Sequence, residues 1–159
     1  MAIVFAAFAV NAQKIGHLNS GNMLTLIPET AKADSGLTIY RNDLLMEGDS
    51  IAKVFEQDYK VYIEAYKAGT LSALQSQKRQ EELQKKQQYL QAYAQEVEER
   101  VANLRRQLLQ PILAKLDEAI RAVAKENGYN FIFDTGTGAT LYAAESDDVA
   151  PLVKKKLGL

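Results

Sequence analysis

The chain of 159 residues has no cysteine and a single histidine, His17. Disulfides, thiolate metal sites and cysteine nucleophiles are therefore excluded. Any metal site would rest on carboxylates and one imidazole, so a structural role is expected for His17 and no metal or other cofactor. Neither sign of charge is in excess. Nineteen basic and 20 acidic residues give a formal net charge of -1, without the basic face that a nucleic-acid binder needs. No phosphate loop is present either. Gly136 and Gly138 lie in a TGTG run that lacks the lysine and hydroxyl of that motif. The adjacent carboxylates Glu81-Glu82, Glu98-Glu99 and Asp147-Asp148 do not converge on one point. No general acid/base pair results, and the chain reads as a non-enzyme.

A long apolar run is also missing. Ala2 to Val10 (AIVFAAFAV) is uncharged and apolar, but a bilayer span takes about 20 residues. With small residues at Val10 and Ala12, residues 1–12 read as a signal peptide cleaved after Ala12. No lysine or arginine follows Met1, which a start codon placed too late would explain. The alternative is a buried N-terminal strand or helix. Export is the better reading.

Helical periodicity is what the chain has in abundance. From Thr30 onward, Leu37, Tyr40, Leu44, Ile51, Phe55, Tyr59, Tyr62 and Tyr66 recur at helical spacing. Gly36 weakens continuity near the start, since an interior glycine costs about 1 kcal/mol relative to alanine. Ala68-Gly69-Thr70 is the best break, with Gly69 as a left-handed stop and Thr70 or Ser72 as the next cap. A second helix follows to Asn127, its apolar or small positions running through Leu83, Leu90, Ala94, Val97, Val101, Leu104 and Leu108. So short a turn makes the two helices antiparallel. Folding about Gly69 sets Tyr62 near Lys78, and Ile51 near Tyr89 or Leu90. An arm of this length would be roughly 50 Å long.

Pro111 lies inside the second helix and favours a kink there. Beyond it, Ile112, Leu116, Ile120 and Val123 keep the stripe, while Leu109, Leu113 and Ala119 widen it. A broader face packs against more than one neighbour, which places the base of the arm near Pro111. Lys14 to Asn19 reads as a short strand. Ser20 is a candidate cap for a helix interrupted at Pro28. Tyr129 to Asp134 alternates as a strand, TGTG supplies a hairpin turn, and Ala139 to Ala144 returns as a third strand. Pro151 reads as the first residue of a closing helix. Three short strands with open edges are marginal alone, and oligomerisation through the sheet is the simplest remedy. Ile15, Leu18, Phe131, Ile132, Phe133, Leu141 and Tyr142 are the candidate contacts.

The expected fold is α+β and mostly helical: a long antiparallel helical hairpin, a coiled-coil arm, on a small β-sheet. Residues 13–29 and 111–159 form the base; residues 30–110 form the arm, with its tip near 68–73. Phe55, Tyr59, Tyr62, Tyr66, Tyr89 and Tyr93 cluster toward the distal half. One reading has them filling the two-helix seam. The other has some lining an open face that contacts unfolded chains, a role that suits a large apolar ring with a polar end.

Several blocks together resemble the Skp/OmpH family of periplasmic chaperones. These are KIGHLNSGNMLTLIPE, arms meeting at AGTLSA, QPILAKLDEAIRAVAKENGYNFIFD, and the closing LYAAESDDVAPLVKKKL. The resemblance covers essentially the whole mature chain. It implies a homotrimer whose strands form a central barrel, with three hairpins around a cavity that holds unfolded outer-membrane proteins without ATP. Residues 14–19, 129–134 and 139–144 would build the barrel. The best-known members are strongly basic, so lipopolysaccharide binding is not carried over to this slightly acidic chain. Ala150-Pro151 also stands where the family often has a Thr-Asp helix start. The rival reading is a structural coiled-coil spacer or adaptor in the envelope with one folded partner. Breadth of clients separates the two.

Overall fold

A computed structural model describes residues 13–159; the expected leader, residues 1–12, lies outside the described residues. The element order is β1 (Ile15–Leu18), α1 (Ser20–Leu26), α2 (Pro28–Lys67), α3 (Ala73–Asn127), β2 (Phe131–Asp134) and α4 (Ala150–Leu157). The chain is thus mostly helical, with one long hairpin and one small strand pair. It divides into two compact units. One comprises the described residues up to Ala31 together with Gln110–Leu159; the other is Lys32–Leu109.

In the first unit, β1 and β2 pair in parallel, with Ile15 opposite Phe131 and Leu18 opposite Asp134. Asn19, not Ser20, caps α1: its side chain accepts from the Asn22 N–H at 2.9 Å. Ser20 instead donates from both its backbone N–H and its hydroxyl to the Asp134 carboxylate. Ile27 is held extended between α1 and α2, as the residue before a proline must be, and Pro28 opens α2.

The expected β2 hairpin does not form. TGTG makes a tight helical turn at Thr135–Thr137 and ends on left-handed Gly138. Asp134 accepts from the Gly136 N–H at 2.8 Å, and the Thr135 hydroxyl reaches the Leu18 carbonyl at 3.2 Å. Those bonds turn the chain toward β1 instead of back along β2. Residues 139–144 consequently form no strand. Residues 144–149 run beside β1: the His17 ring donates from Nε2 to the Ala144 carbonyl at 2.9 Å, and Val149 N–H donates to His17 O at 2.9 Å. His17 is indeed a structural donor here, since a carbonyl only accepts. Helix α4 begins one residue ahead of Pro151, its Ala150 N–H bound by the Asp148 carboxylate at 2.8 Å.

The core of this unit is Leu18, Met23, Ile27, Ile112, Leu116, Ala119, Val123, Val149 and Val153, all buried. Leu113, expected to widen the stripe after Pro111, is exposed instead. Helix α3 continues unbroken through Pro111.

Asp134 ties three segments of this unit together. Donation from the Ser20 hydroxyl, foremost, and from the Ser20 and Gly136 N–H groups holds its carboxyl below the usual range against the opposing effect of burial. A depressed folded value means that the contribution is whole above the unfolded value of about 4 and is lost as pH falls through the folded one. Asp134→Asn is therefore expected to lower the melting temperature at neutral pH, by an amount equivalent to about 1 kcal/mol. It should narrow the gap from wild type below pH 4. A gap that stays constant from pH 7 to pH 3 would show that the carboxylate carries no such linkage.

In the second unit, α2 and α3 lie antiparallel. Glycines 36 and 48 do not break α2. At Gly48 the missing side chain has a use, because a Cβ there would come within 3.1 Å of the Tyr93 ring. Glycine thus lets the helices approach across that ring. The helices are joined by a turn in which left-handed Gly69 donates to Tyr66 O and Thr70 N–H to Ala65 O. Ser72 and Gln75 then cap α3 reciprocally, through Ser72 N–H to Gln75 Oε1 at 2.9 Å and Gln75 N–H to Ser72 Oγ at 3.3 Å.

Candidate client-binding hairpin and assembly face

The hairpin seam consists of few residues. Leu44, Tyr62, Leu83, Tyr93 and Val97 are buried, and Tyr40, Ile51 and Val101 pack against the Leu44–Tyr93–Val97 cluster. Polar groups in the seam are matched. The Tyr62 hydroxyl accepts from Gln80 Nε2 at 2.7 Å and lies 3.1 Å from Ser76 Oγ, which puts Tyr62 beside the turn of α3 that holds Lys78. The Tyr93 hydroxyl donates to the Leu44 carbonyl at 3.0 Å. Ion pairs Asp58–Lys86 and Arg41–Glu98 cross between the helices. Both are solvent-exposed, so they set register more than they add stability.

The six aromatic candidates divide by helix phase. Tyr62 and Tyr93 belong to the seam. Tyr59, Tyr66 and Tyr89 are exposed, and Phe55 is half-buried. Each inner ring touches an outer one four residues away: Tyr62 with Tyr66 at 5.9 Å, Tyr93 with Tyr89 at 6.2 Å, and Phe55 with Tyr59 at 6.2 Å between centroids. The seam thereby fixes the exposed rings in place. An open apolar groove of about 340 Å³ lies between Ile51, Val54 and Tyr89. A second one of about 320 Å³ lies against Leu45, Gly48, Leu90 and Ala94.

Sequence reasoning missed a further apolar line on α2. Ile39, Met46, Val54 and Val61 are all more than half exposed. Their spacings of seven and eight residues place them on one helix face, and that periodicity, offset from the seam, was the available signal.

In the first unit, Ile15, Phe131 and Phe133 are exposed, with the two phenylalanine rings 6.2 Å apart. Leu141 is 99% and Tyr142 86% exposed. Together with Ile15 and Phe133 they border an open groove of about 790 Å³. Ile132 is half-buried. Leu18 is only 2% exposed, so it belongs to the protomer's own core and has no surface left for a neighbour.

Among the described residues no cluster of histidine and carboxylates could hold a metal ion, and no helix is long and apolar enough to cross a membrane. The family model for outer membrane protein (OmpH-like) matches residues 14–157. The chain belongs to the OmpH-like family. The OmpH-like fold is seen again in a crystal structure from Caulobacter crescentus CB15, assigned as an OmpH-like outer membrane chaperone. It superposes with a TM-score of 0.76 at 14% identity, covering 98% of this chain and 90% of that one. At that identity the likeness is one of fold. No curated protein matches this OmpH-like chain significantly.

Proposed function

We propose that this chain is an ATP-independent periplasmic holdase that binds unfolded outer-membrane proteins and prevents their aggregation. The observation that carries the reading is the display of large apolar groups on a hairpin only two helices thick. Tyr59, Tyr66, Tyr89, Met46, Val54 and Val61 remain exposed, and Val54 and Tyr89 border one open apolar groove, the kind of continuous apolar surface that marks an interaction site. Family membership and the likeness to the Caulobacter OmpH-like chaperone support the same reading. Binding of this kind is spread over many weak contacts, and tyrosine serves it well because its hydroxyl tolerates water.

The protomer assembles, on this reading, as a homotrimer through its small sheet. Residues 139–144 find no strand partner among the described residues, and Ile15, Phe131, Phe133, Leu141 and Tyr142 present apolar surface beside them. A two-stranded sheet is marginal by itself, and pairing with copies would complete it.

The test is dilution of an unfolded β-barrel protein from urea, with aggregation followed by turbidity. Wild type at stoichiometric trimer is expected to suppress turbidity. Tyr59→Ser, Tyr66→Ser and Tyr89→Ser combined should weaken suppression about tenfold or more, on the basis of roughly 0.5–1.5 kcal/mol for each ring removed. Each substitution lies outside the seam, so helicity should be kept. Wild type that leaves aggregation unchanged refutes the holdase; binding to one folded partner alone would make the chain a spacer.

A further inference from the structure

The side chains that peroxides attack first are scarce in this sequence. It has no cysteine and no tryptophan, and its three methionines are Met1, Met23 and Met46. Met1 lies outside the described residues. The other two stand in opposite surroundings: Met23 is 1% exposed in the core of the first unit, and Met46 is 68% exposed on α2. An oxidant must reach the sulfur to react with it. In the folded chain the open thioether is that of Met46.

The place of Met46 decides what its oxidation does. It shares one face of α2 with Ile39, Val54 and Val61, all more than half exposed, at spacings of seven and eight residues. Leu44 is buried in the seam against Tyr93 and Val97, and Met46, two residues on, lies about 200° further around the helix. A sulfoxide there meets water and leaves the seam packing intact. At Met23 it would force a polar group into a closed core. Ile39, Val54 and Val61 are β-branched and stiff at χ1. Met46 is the unbranched member of the line, able to fit itself to partners of different shape.

We propose that Met46 is a modification site for hydrogen peroxide, and that its oxidation reversibly lowers the hairpin's hold on unfolded chains. The sulfur lone pair attacks one peroxide oxygen. The O–O bond breaks, an S–O bond forms, and the departing oxygen takes up the proton and leaves as water. Sulfur is oxidised by two electrons and the peroxide is reduced by two. The product is polar and chiral, and methionine sulfoxide reductases return it to the thioether. The exposure that admits the oxidant also admits the reductase. The effect on holding rests on the holdase reading; the site of oxidation does not.

The experiment treats residues 13–159 with hydrogen peroxide, removes the oxidant by desalting, and maps the product by peptide mass spectrometry. One added oxygen is expected on Met46, with Met23 unmodified. Aggregation of an unfolded β-barrel protein diluted from urea is then followed by turbidity. Treated wild type should suppress it about threefold less well than untreated, the order of one thioether–ring contact. Methionine sulfoxide reductases should restore the suppression. In Met46→Leu, treated and untreated samples should behave alike. Oxidation of Met23 as fast as Met46 overturns the proposal, as does an oxidised wild type that holds as well as the reduced one. An equal loss in treated Met46→Leu would overturn it too. Untreated wild type that leaves aggregation unchanged refutes the holdase and the effect on holding together, whereas selective oxidation of Met46 is read by mass independently of it.

Discussion

Tyr93→Ala is expected to destabilise the hairpin by about 3–5 kcal/mol, as large aromatic deletions in a packed site do. The ring is buried between Leu44 and Val97, lies against Gly48, and gives its hydroxyl to the Leu44 carbonyl. With only two helices there is no third layer to collapse into the space left behind. Tyr93→Phe keeps the ring and loses the hydroxyl, so its cost should be about 1 kcal/mol. Burial first, then the neighbouring Glu47 carboxylate, pushes the Tyr93 phenol above its usual value. A raised folded value means that its contribution is whole below the unfolded value of about 10 and is lost as pH rises through the folded one. Urea denaturation followed by circular dichroism reads all three proteins. An alanine variant within about 1 kcal/mol of wild type would show that the seam does not depend on this ring.

Gly16→Val should have a comparable effect in the other unit. A Cβ at position 16 would stand 2.7 Å from Val149 Cγ1 and 3.0 Å from the Tyr129 ring. Val149 is fully buried, and the Tyr129 ring also carries the Lys14 ammonium 4.2 Å from its centroid. Val149 donates its N–H to the His17 carbonyl, so it cannot move away without disturbing the bonding of β1. A cost at or above the upper end of the usual 1–3 kcal/mol for overpacking is expected. The origin can be tested with Val149→Ala. If the clash is the cause, the double variant should be more stable than the two single costs sum to, by about 1 kcal/mol or more. Strict additivity would place the damage elsewhere.

The helical half of the molecule was legible because its signals are local. Gly69 stops one helix and Ser72 caps the next within a few residues, and that turn alone brings Tyr62 beside Ser76 and Gln80. The seam followed from apolar spacing, although spacing did not say which tyrosines would be inside. Tyr62 and Tyr93 fall on the seam while Tyr59, Tyr66 and Tyr89, three or four residues away, sit about 40–60° to its sides, so the same residue type serves both surfaces.

The sheet was less legible because its pairing is decided far along the chain. Phe131 to Asp134 alternates like a strand, but a four-residue run cannot name its partner. What selects β1 is a set of bonds from Asp134 to Ser20 and from Thr135 to Leu18, across more than 110 positions. The TGTG turn looked like a hairpin because glycine suits many turns. Leu18 looked like interface for a related reason: alternation marks an apolar face without saying whether the protomer or its neighbour covers it.

On the proposed reading the protomer is an incomplete object, whose sheet and apolar face at Phe131, Phe133, Leu141 and Tyr142 are completed by copies of itself. Light scattering of residues 13–159 under native conditions tests this most directly. The expected mass is three times that of the protomer, held on dilution through the micromolar range. A clean monomer at those concentrations would contradict the shared base, and with it the cavity in which unfolded chains are to be held.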